Sequence, residues 1–237
     1  MIAKILFNDI HAYSLANADE TIVQKYSRYF RNGYDAFGLT QEKINTKIKI
    51  LLADPGTDLN LVLQTAPLLL RTGKYEETSF AILLLKSFSK QFTKETFNEV
   101  GHWFEIGISN WAHTDFICGE IMPVLFKKGI LKYKDLSKWR KAENKFQRRA
   151  VPVSLIKELK TTSDYQPFLE FIEPLMLDPE REVHQGLGWF LREAWKRQPE
   201  KVESFLYKWK NKAPRLIFQY ATEKMTVAEK QRFRKEK

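Results

Sequence analysis

Between residues 180 and 197 the apolar side chains Val183, Leu187, Leu191 and Ala194 stand at i, i+4, i+8 and i+11. That period draws one stripe down an α-helix and does not suit the two-residue alternation of a half-buried strand. Helical spacing of this kind runs through nearly all of the 237 residues, and no segment alternates cleanly. Short breakers cut the pattern into pieces of helix length: Asn32-Gly33, Asp54-Pro55-Gly56, Thr72-Gly73, Lys128-Gly129, Ser163-Asp164, Asp178-Pro179, Gln198-Pro199 and Ala213-Pro214. Only 10 Gly and 9 Pro occur, which argues against an all-β or low-complexity chain. The expected fold class is all-α.

Several pieces open on a capping residue. "DPEREVHQGLGWFLREAWKR" starts at Asp178, with Pro179 expected at the first helical position, and "SDYQPFLEFIEPLML" follows Thr162. Helix starts near 143, 180 and 213 recur at about the spacing of HEAT-type helix pairs. Stacked pairs of that kind make an α-solenoid, a superhelix with a concave face. Neither a linker nor a change of composition interrupts the chain. One domain is expected over 1–237, ending in a basic tail from about 226 that closes on "EKQRFRKEK". Such a run is usually a solvated or frayed end, with contact to a DNA backbone as the alternative.

Lys and Arg total 39 against 29 Asp and Glu, a formal charge of +10. That balance suits a polyanion or an acidic membrane surface. A basic, concave, helical face would cradle a duplex backbone. No leader and no membrane-length apolar run is seen, so a cytoplasmic, monomeric protein is expected. The single Cys118 excludes a disulfide framework and a multi-cysteine zinc site. His11, His102, His113 and His184 lack metal-ligand spacing, and surface or capping roles are expected for each. There is no GxGxxG and no P-loop. Neither a metal nor a cofactor is expected.

Three segments hold candidate site residues. In "GISNWAHTDFICGEIMPVLF", residues 107–126, Trp111 and Asp115 lie four apart and share one helix face. A carboxylate beside an indole on an oily helix either has a local partner or awaits one. Cys118, one turn on, reads as a small core residue. In residues 143–160, Phe146, Ala150 and Val153 form the stripe. Arg149 sits at its edge, where a buried stem fixes the direction of the guanidinium. Arg148 points well away and reads as solvated. Pro152 is expected to kink this helix. In residues 180–197, Trp189 lies opposite the stripe, with Gln185, Arg192 and Lys196. Either it packs under a neighbouring helix, or it offers a stacking face with Arg192 and Lys196 beside it for anionic groups.

Taken in order and spacing, "NWAHTD", "FQRRAV" and "GWFLREAWKRQPEKV" resemble the bacterial DNA alkylation repair family typified by the AlkD glycosylase. The stretch "KYSRYFRNGYDAFGLTQEKI" is similar to that family's opening. The resemblance implies a HEAT-like superhelix that wraps double-stranded DNA containing alkylated bases. It implies excision of cationic N3- and N7-alkylated purines by N-glycosidic hydrolysis, without a metal and without moving the base into a pocket. It also implies catalytic roles for Trp111, Asp115 and Trp189 and a DNA contact for Arg149, with Arg148, Arg192 and Lys196 as further DNA-binding candidates. Two positions and one segment, the compact basic stretch before Gly33, depart from the family pattern. Pro152 interrupts a helix that is usually continuous, and Gly186 stands where a side chain is often found.

The implied chemistry answers the question about Asp115. A cationic purine is already a good leaving group, so no acid need protonate it. Positive charge then develops on the sugar, and a fixed carboxylate stabilises it. Two alternatives are an inactive member of the same architecture that binds unusual DNA structures, and a helical scaffold that binds a peptide or protein. Neither needs a carboxylate between two indoles.

Overall fold

The computed structural model describes residues 2–31 and 33–236; Asn32, from the first breaker, lies outside the described residues. All regular secondary structure among them is helical. Contacts gather the chain into two compact units, one ending at His113 and the other beginning at Thr114.

The first unit contains α1 (Ala3–Ala16), α2 (Glu20–Ser27), α3 (Gln41–Ala53), α4 (Leu59–Arg71), α5 (Tyr75–Ser87) and α6 (Lys94–Ile106). Side-chain caps set the starts of three of them. Asp19 accepts from Thr21 N–H, Thr40 from Lys43 N–H and Asp58 from Leu61 N–H. Helix α4 packs on α1, α5 and α6 and contributes Val62, Ala66, Leu69 and Leu70 to the core. The link between α2 and α3 is not helical, so its backbone needs other partners. Glu76, buried in the first turn of α5, supplies them by accepting from the N–H groups of Phe37, Gly38 and Leu39 at 2.8, 2.8 and 3.0 Å. Gly38 has φ +85°, and a Cβ there would lie 2.0 Å from the Asp19 carbonyl oxygen, so only glycine fits.

Helix α7 (Trp111–Phe116) carries the chain across the boundary between the units. The second unit continues with α8 (Met122–Lys127), α9 (Lys145–Leu155), α10 (Gln166–Ile172), α11 (Arg181–Trp195), α12 (Pro199–Trp209), α13 (Arg215–Ala221) and α14 (Val227–Gln231). The expected starts near 143, 180 and 213 correspond to α9, α11 and α13, and α11 packs against both of the others. The stripe of Val183, Leu187, Leu191 and Ala194 is fully buried. Two glycines set the spacing. They are two residues apart, about 200° around the helix, so they face opposite neighbours. A Cβ at Gly186 would lie 2.9 Å from Arg149 Cγ on α9, and one at Gly188 would lie 2.7 Å from the Ile217 carbonyl oxygen on α13. The departure at Gly186 is thus explained by the close approach of α9.

Between α7 and α8 the chain makes a π-helical turn, Ile117–Ile121. Pro123 has no N–H to give the Gly119 carbonyl four residues back, and its ring crowds that carbonyl. The turn widens, and the freed Gly119 oxygen accepts from Lys157 Nζ instead.

Three expectations about helix bounds and the tail are corrected. Helix α11 begins at Arg181 rather than Pro179, because Asp178 Oδ1 accepts from Glu180 N–H and turns the chain first. Helix α9 runs on through Pro152 to Leu155, so the proline does not interrupt it. The basic tail is packed down rather than frayed. Phe233 is fully buried with its ring 5.0 Å from that of Tyr207, Arg232 pairs with Glu203, and Arg215 donates to the Phe233 carbonyl. Among the described residues no helix is long and apolar enough to cross a membrane.

Candidate functional site

In the second unit, Asn144 caps α9 by accepting from Phe146 N–H, and this sets the phase of the helix. Arg149 then projects from its buried side with Ala150 and Val153. Arg149 Nε donates to Asp115 Oδ1 at 2.9 Å and Nη2 donates to Oδ2 at 2.8 Å, a bidentate pair. The third side of the guanidinium is used as well, because Nη1 donates to the Glu182 carbonyl at 2.8 Å. Asp115 is therefore not bare, and Arg149 gives three of its five N–H groups to partners in its own chain. The fixed direction expected for Arg149 is present, and its partner is a carboxylate of the same chain. Burial raises the Asp115 carboxyl above its ordinary value, and the Arg149 hydrogen bonds and charge oppose that rise. The Asp115 side chain is 17% exposed against 7% for Arg149, so the anion is the more open member of the pair.

Arg148 is not solvated as expected. It makes its own bidentate pair with buried Asp178, from Nε at 2.6 Å and Nη2 at 3.2 Å, and donates to the Ala142 and Glu143 carbonyls. Its free energy is committed to structure, tying α9 to the turn before α11.

Trp189 is half-buried on α11. The cations expected beside it for anionic groups are both paired: Arg192 with Glu193 and Glu223, and Lys196 with Glu193. Cys118 is buried, its thiol is pushed up by desolvation, and its Sγ–H points at the Ala150 carbonyl. It is a core residue, as its place on the helix suggested. Among the described residues no cluster of His, Cys, Asp or Glu gathers as metal ligands.

Trp111 belongs to the first unit. It is 41% exposed, its indole N–H donates to the Tyr29 carbonyl at 3.3 Å, and Phe30 stacks on it at 5.9 Å and 17°. Phe30 stacks in turn on Tyr34 at 4.5 Å and 16°, and Tyr75 closes the group by stacking on His113 at 4.3 Å. His113 is fully buried rather than a surface residue. Asn110 Oδ1 accepts from His113 N–H, which leaves the Asn110 amide nitrogen to donate to Nδ1; Nε2 then carries the proton and donates to Ser79 Oγ at 3.0 Å. Desolvation holds this imidazole down at about 3. His184 is also buried, with Nε2 on the Asp178 carbonyl. The sequence reading missed this aromatic group. The signal was present in the interleaved aromatic and basic residues of "KYSRYFRNGY".

The fold is all-helical and two carboxylates, Asp115 and Asp178, are each held by an arginine; comparison with known proteins makes the assignment. The family model described as DNA alkylation repair enzyme matches residues 15–225, so the chain belongs to that family and has its role in DNA repair. It is similar in structure to a predicted DNA alkylation repair enzyme from Enterococcus faecalis, with TM-score 0.72 and 15% identity over 89% of this chain and 98% of that one. It is also similar to AlkD2 from Streptococcus mutans, with TM-score 0.57 and 18% identity over 88% of this chain and 99% of that one. At these identities the likeness establishes the fold. No curated protein matches the chain.

Proposed function

We propose that this protein is a DNA glycosylase that hydrolyses the N-glycosidic bond of N3- or N7-alkylated purines in duplex DNA. The observation that carries this reading is the Asp115–Arg149 pair. Both carboxylate oxygens are fixed by guanidinium N–H groups, yet the carboxylate keeps the more open edge. A charge held in place before the reaction needs no reorganisation as the sugar becomes cationic. The same oxygen can align the attacking water. The base leaves as a neutral purine, so no acid is required, and uncharged lesions such as 1,N6-ethenoadenine should be poor substrates. In this reading Arg149 is a positioning residue for Asp115, and Trp189 is the aromatic wall of the second unit.

A second reading draws on the same pair. A carboxylate with both oxygens already satisfied also serves as a structural strut, which suits a protein that binds unusual DNA without cutting the bond. Single-turnover release of labelled 7-methylguanine and 3-methyladenine separates the two. Asp115→Asn keeps the shape and removes the charge, so excision should fall by roughly 10²–10³ while duplex affinity stays similar. The acid limb of the wild-type rate should rise with pH through a midpoint above 3.8. Excision by Asp115→Asn at the wild-type rate would make Asp115 structural. No release by the wild type would leave the binding reading standing.

A further inference from the structure

Lys145 opens α9 one turn before Arg149, so both project from the same face of that helix. Glu182 and Gly186 are likewise one turn apart near the start of α11. The two helices meet along these residues. Lys145 Nζ donates to Glu182 Oε1 at 3.1 Å and lies 3.4 Å from Glu180 Oε2. One turn on, a Cβ at Gly186 would lie 2.9 Å from Arg149 Cγ, so Arg149 passes close over the α11 backbone. Its Nη1 then donates to the Glu182 carbonyl at 2.8 Å, while Nε and Nη2 hold Asp115. Glu182 thus touches both cations, Lys145 with its side chain and Arg149 with its main-chain oxygen. A carbonyl has two lone pairs, so that oxygen can serve its own helix and Arg149 together.

The Lys145 side chain is 28% exposed and that of Glu182 18%. Burial works against the Lys145 ammonium, but Glu182 and Glu180 outweigh it and raise its value, so the ammonium stays charged. Partly open ion pairs contribute little to stability. What this one fixes is direction. A guanidinium gripped by a backbone carbonyl is aimed only as well as that carbonyl is, and helix ends fray. The Lys145–Glu182 bond ties the first turn of α11 to the helix that carries Arg149. We propose that Lys145 and Glu182 are positioning residues for the Asp115 carboxylate, acting through Arg149. The consequence for excision rests on the glycosylase reading, whereas the placement of Asp115 does not.

The sign of one titration separates positioning from a plain strut. Removing the Glu182 carboxylate takes away an anion, which by its field alone would lower the Asp115 carboxyl. Loosening Arg149 would raise it, because the Arg149 hydrogen bonds and charge oppose the rise caused by burial. NMR titration of the aspartate carboxyls, with the Asp115 signal identified by its loss in Asp115→Asn, reads this without DNA. In Glu182→Met the Asp115 midpoint should move up by about one pH unit, part of the roughly 1–3 by which a neighbouring arginine ordinarily lowers an aspartate. Lys145→Met should move it the same way, and Lys145→Arg should leave it near the wild type. A midpoint that falls or stays in Glu182→Met, or that moves as far in Lys145→Arg as in Lys145→Met, would overturn the assignment. Circular dichroism melts near the wild-type temperature show that the variants are folded. Single-turnover release of 7-methylguanine is the second readout. In Glu182→Met it should fall by roughly 10- to 100-fold with duplex affinity unchanged, and its acid limb should move to higher pH. No release by the wild type would defeat the glycosylase reading, and the titration would still decide the positioning.

Discussion

Glu76 in the first unit and Asp115 in the second are both carboxylates withdrawn from water, and the chain satisfies them in opposite ways. Glu76 is closed in completely, and its oxygens accept from three backbone N–H groups of a non-helical link. Asp115 accepts from a single side chain, Arg149, and keeps part of its surface open. A carboxylate spent on backbone can only hold a loop in place. A carboxylate positioned by another side chain can also act on something outside. The same contrast runs through the neighbourhoods. In the first unit the buried His113 lies under the Tyr75 ring, whereas the second unit holds its carboxylates with arginine pairs, Arg149 with Asp115 and Arg148 with Asp178.

The sharpest way to break this comparison is Glu76→Ala. It strands three buried N–H groups, each costing about 1–3 kcal/mol when left without an acceptor. The loss should exceed about 3 kcal/mol, read as a large fall in melting temperature. Any change in excision should follow the fraction folded. If Glu76→Ala melts with the wild type, the link is held by something else and the contrast with Asp115 dissolves.

The next largest effect depends on pH and is set by His113. Its folded value is about 3 against an ordinary 6.5, so between those limits the unfolded chain binds a proton that the folded chain refuses. Stability is therefore unaffected above about pH 6.5 and falls as pH drops from there towards 3, by up to about 1.4 kcal/mol per unit. His113→Gln removes the titration, so its melting temperature should depend less steeply on pH across this window. An equally steep dependence would show that other groups in the chain set the acid limb.

A smaller effect distinguishes the two glycines of α11. Gly188→Ala drives a Cβ towards the Ile217 carbonyl and to 2.5 Å from Tyr220 Cβ, contacts that cannot yield without moving α13. It should cost about 1–3 kcal/mol. Gly186→Ala meets Arg149 Cγ and Val153 Cγ2, side-chain atoms that can give a little, so it should cost less stability and act mainly by moving Arg149 off Asp115. A reduced excision rate in a well-folded Gly186→Ala would tie the positioning residue to the chemistry. The reverse ranking in melts would mean that the α9 side of α11 is the tighter one.

How much of this could be read from the chain depended on the range of each interaction. The helices and the buried stripe of α11 were legible because period and caps are local. The edge position of Arg149 followed from the same wheel. Its partner did not, because Asp115 lies 34 residues earlier and nothing in either segment's periodicity specifies the pairing. Arg148 was misread for the same reason, since Asp178 lies in the turn before another helix. Glu76 and Glu77 have the sequence look of acids in a solvated first turn, and only the fold buries them. His113 carries no sign in sequence of the rings that will cover it. The packed tail was hidden because seven of the nine residues in "EKQRFRKEK" are charged, and the one buried anchor, Phe233, sits among them.

The smallest expected effect concerns which cations reach a DNA backbone. Lys196 donates to both oxygens of Glu193, one turn before it on α11, at 3.0 and 2.9 Å. Exposed pairs of this kind contribute about 0–1 kcal/mol, so Lys196→Ala should hardly move the melt. A phosphate must also compete with Glu193 for this ammonium. The slope of log affinity against log salt for duplex DNA should therefore change by less than about one. Arg28 in the first unit is different. It lies over the Tyr29 ring, its Nη2 donates to the Tyr29 hydroxyl, and no carboxylate pairs with it among the described residues. Its charge is uncommitted, and Arg28→Ala should take the full change of about one in slope. Salt titrations of the two variants on one duplex make the comparison. If Lys196→Ala flattens the slope as much as Arg28→Ala does, Glu193 does not hold the lysine in solution, and the second unit meets the backbone with free charge just as the first does.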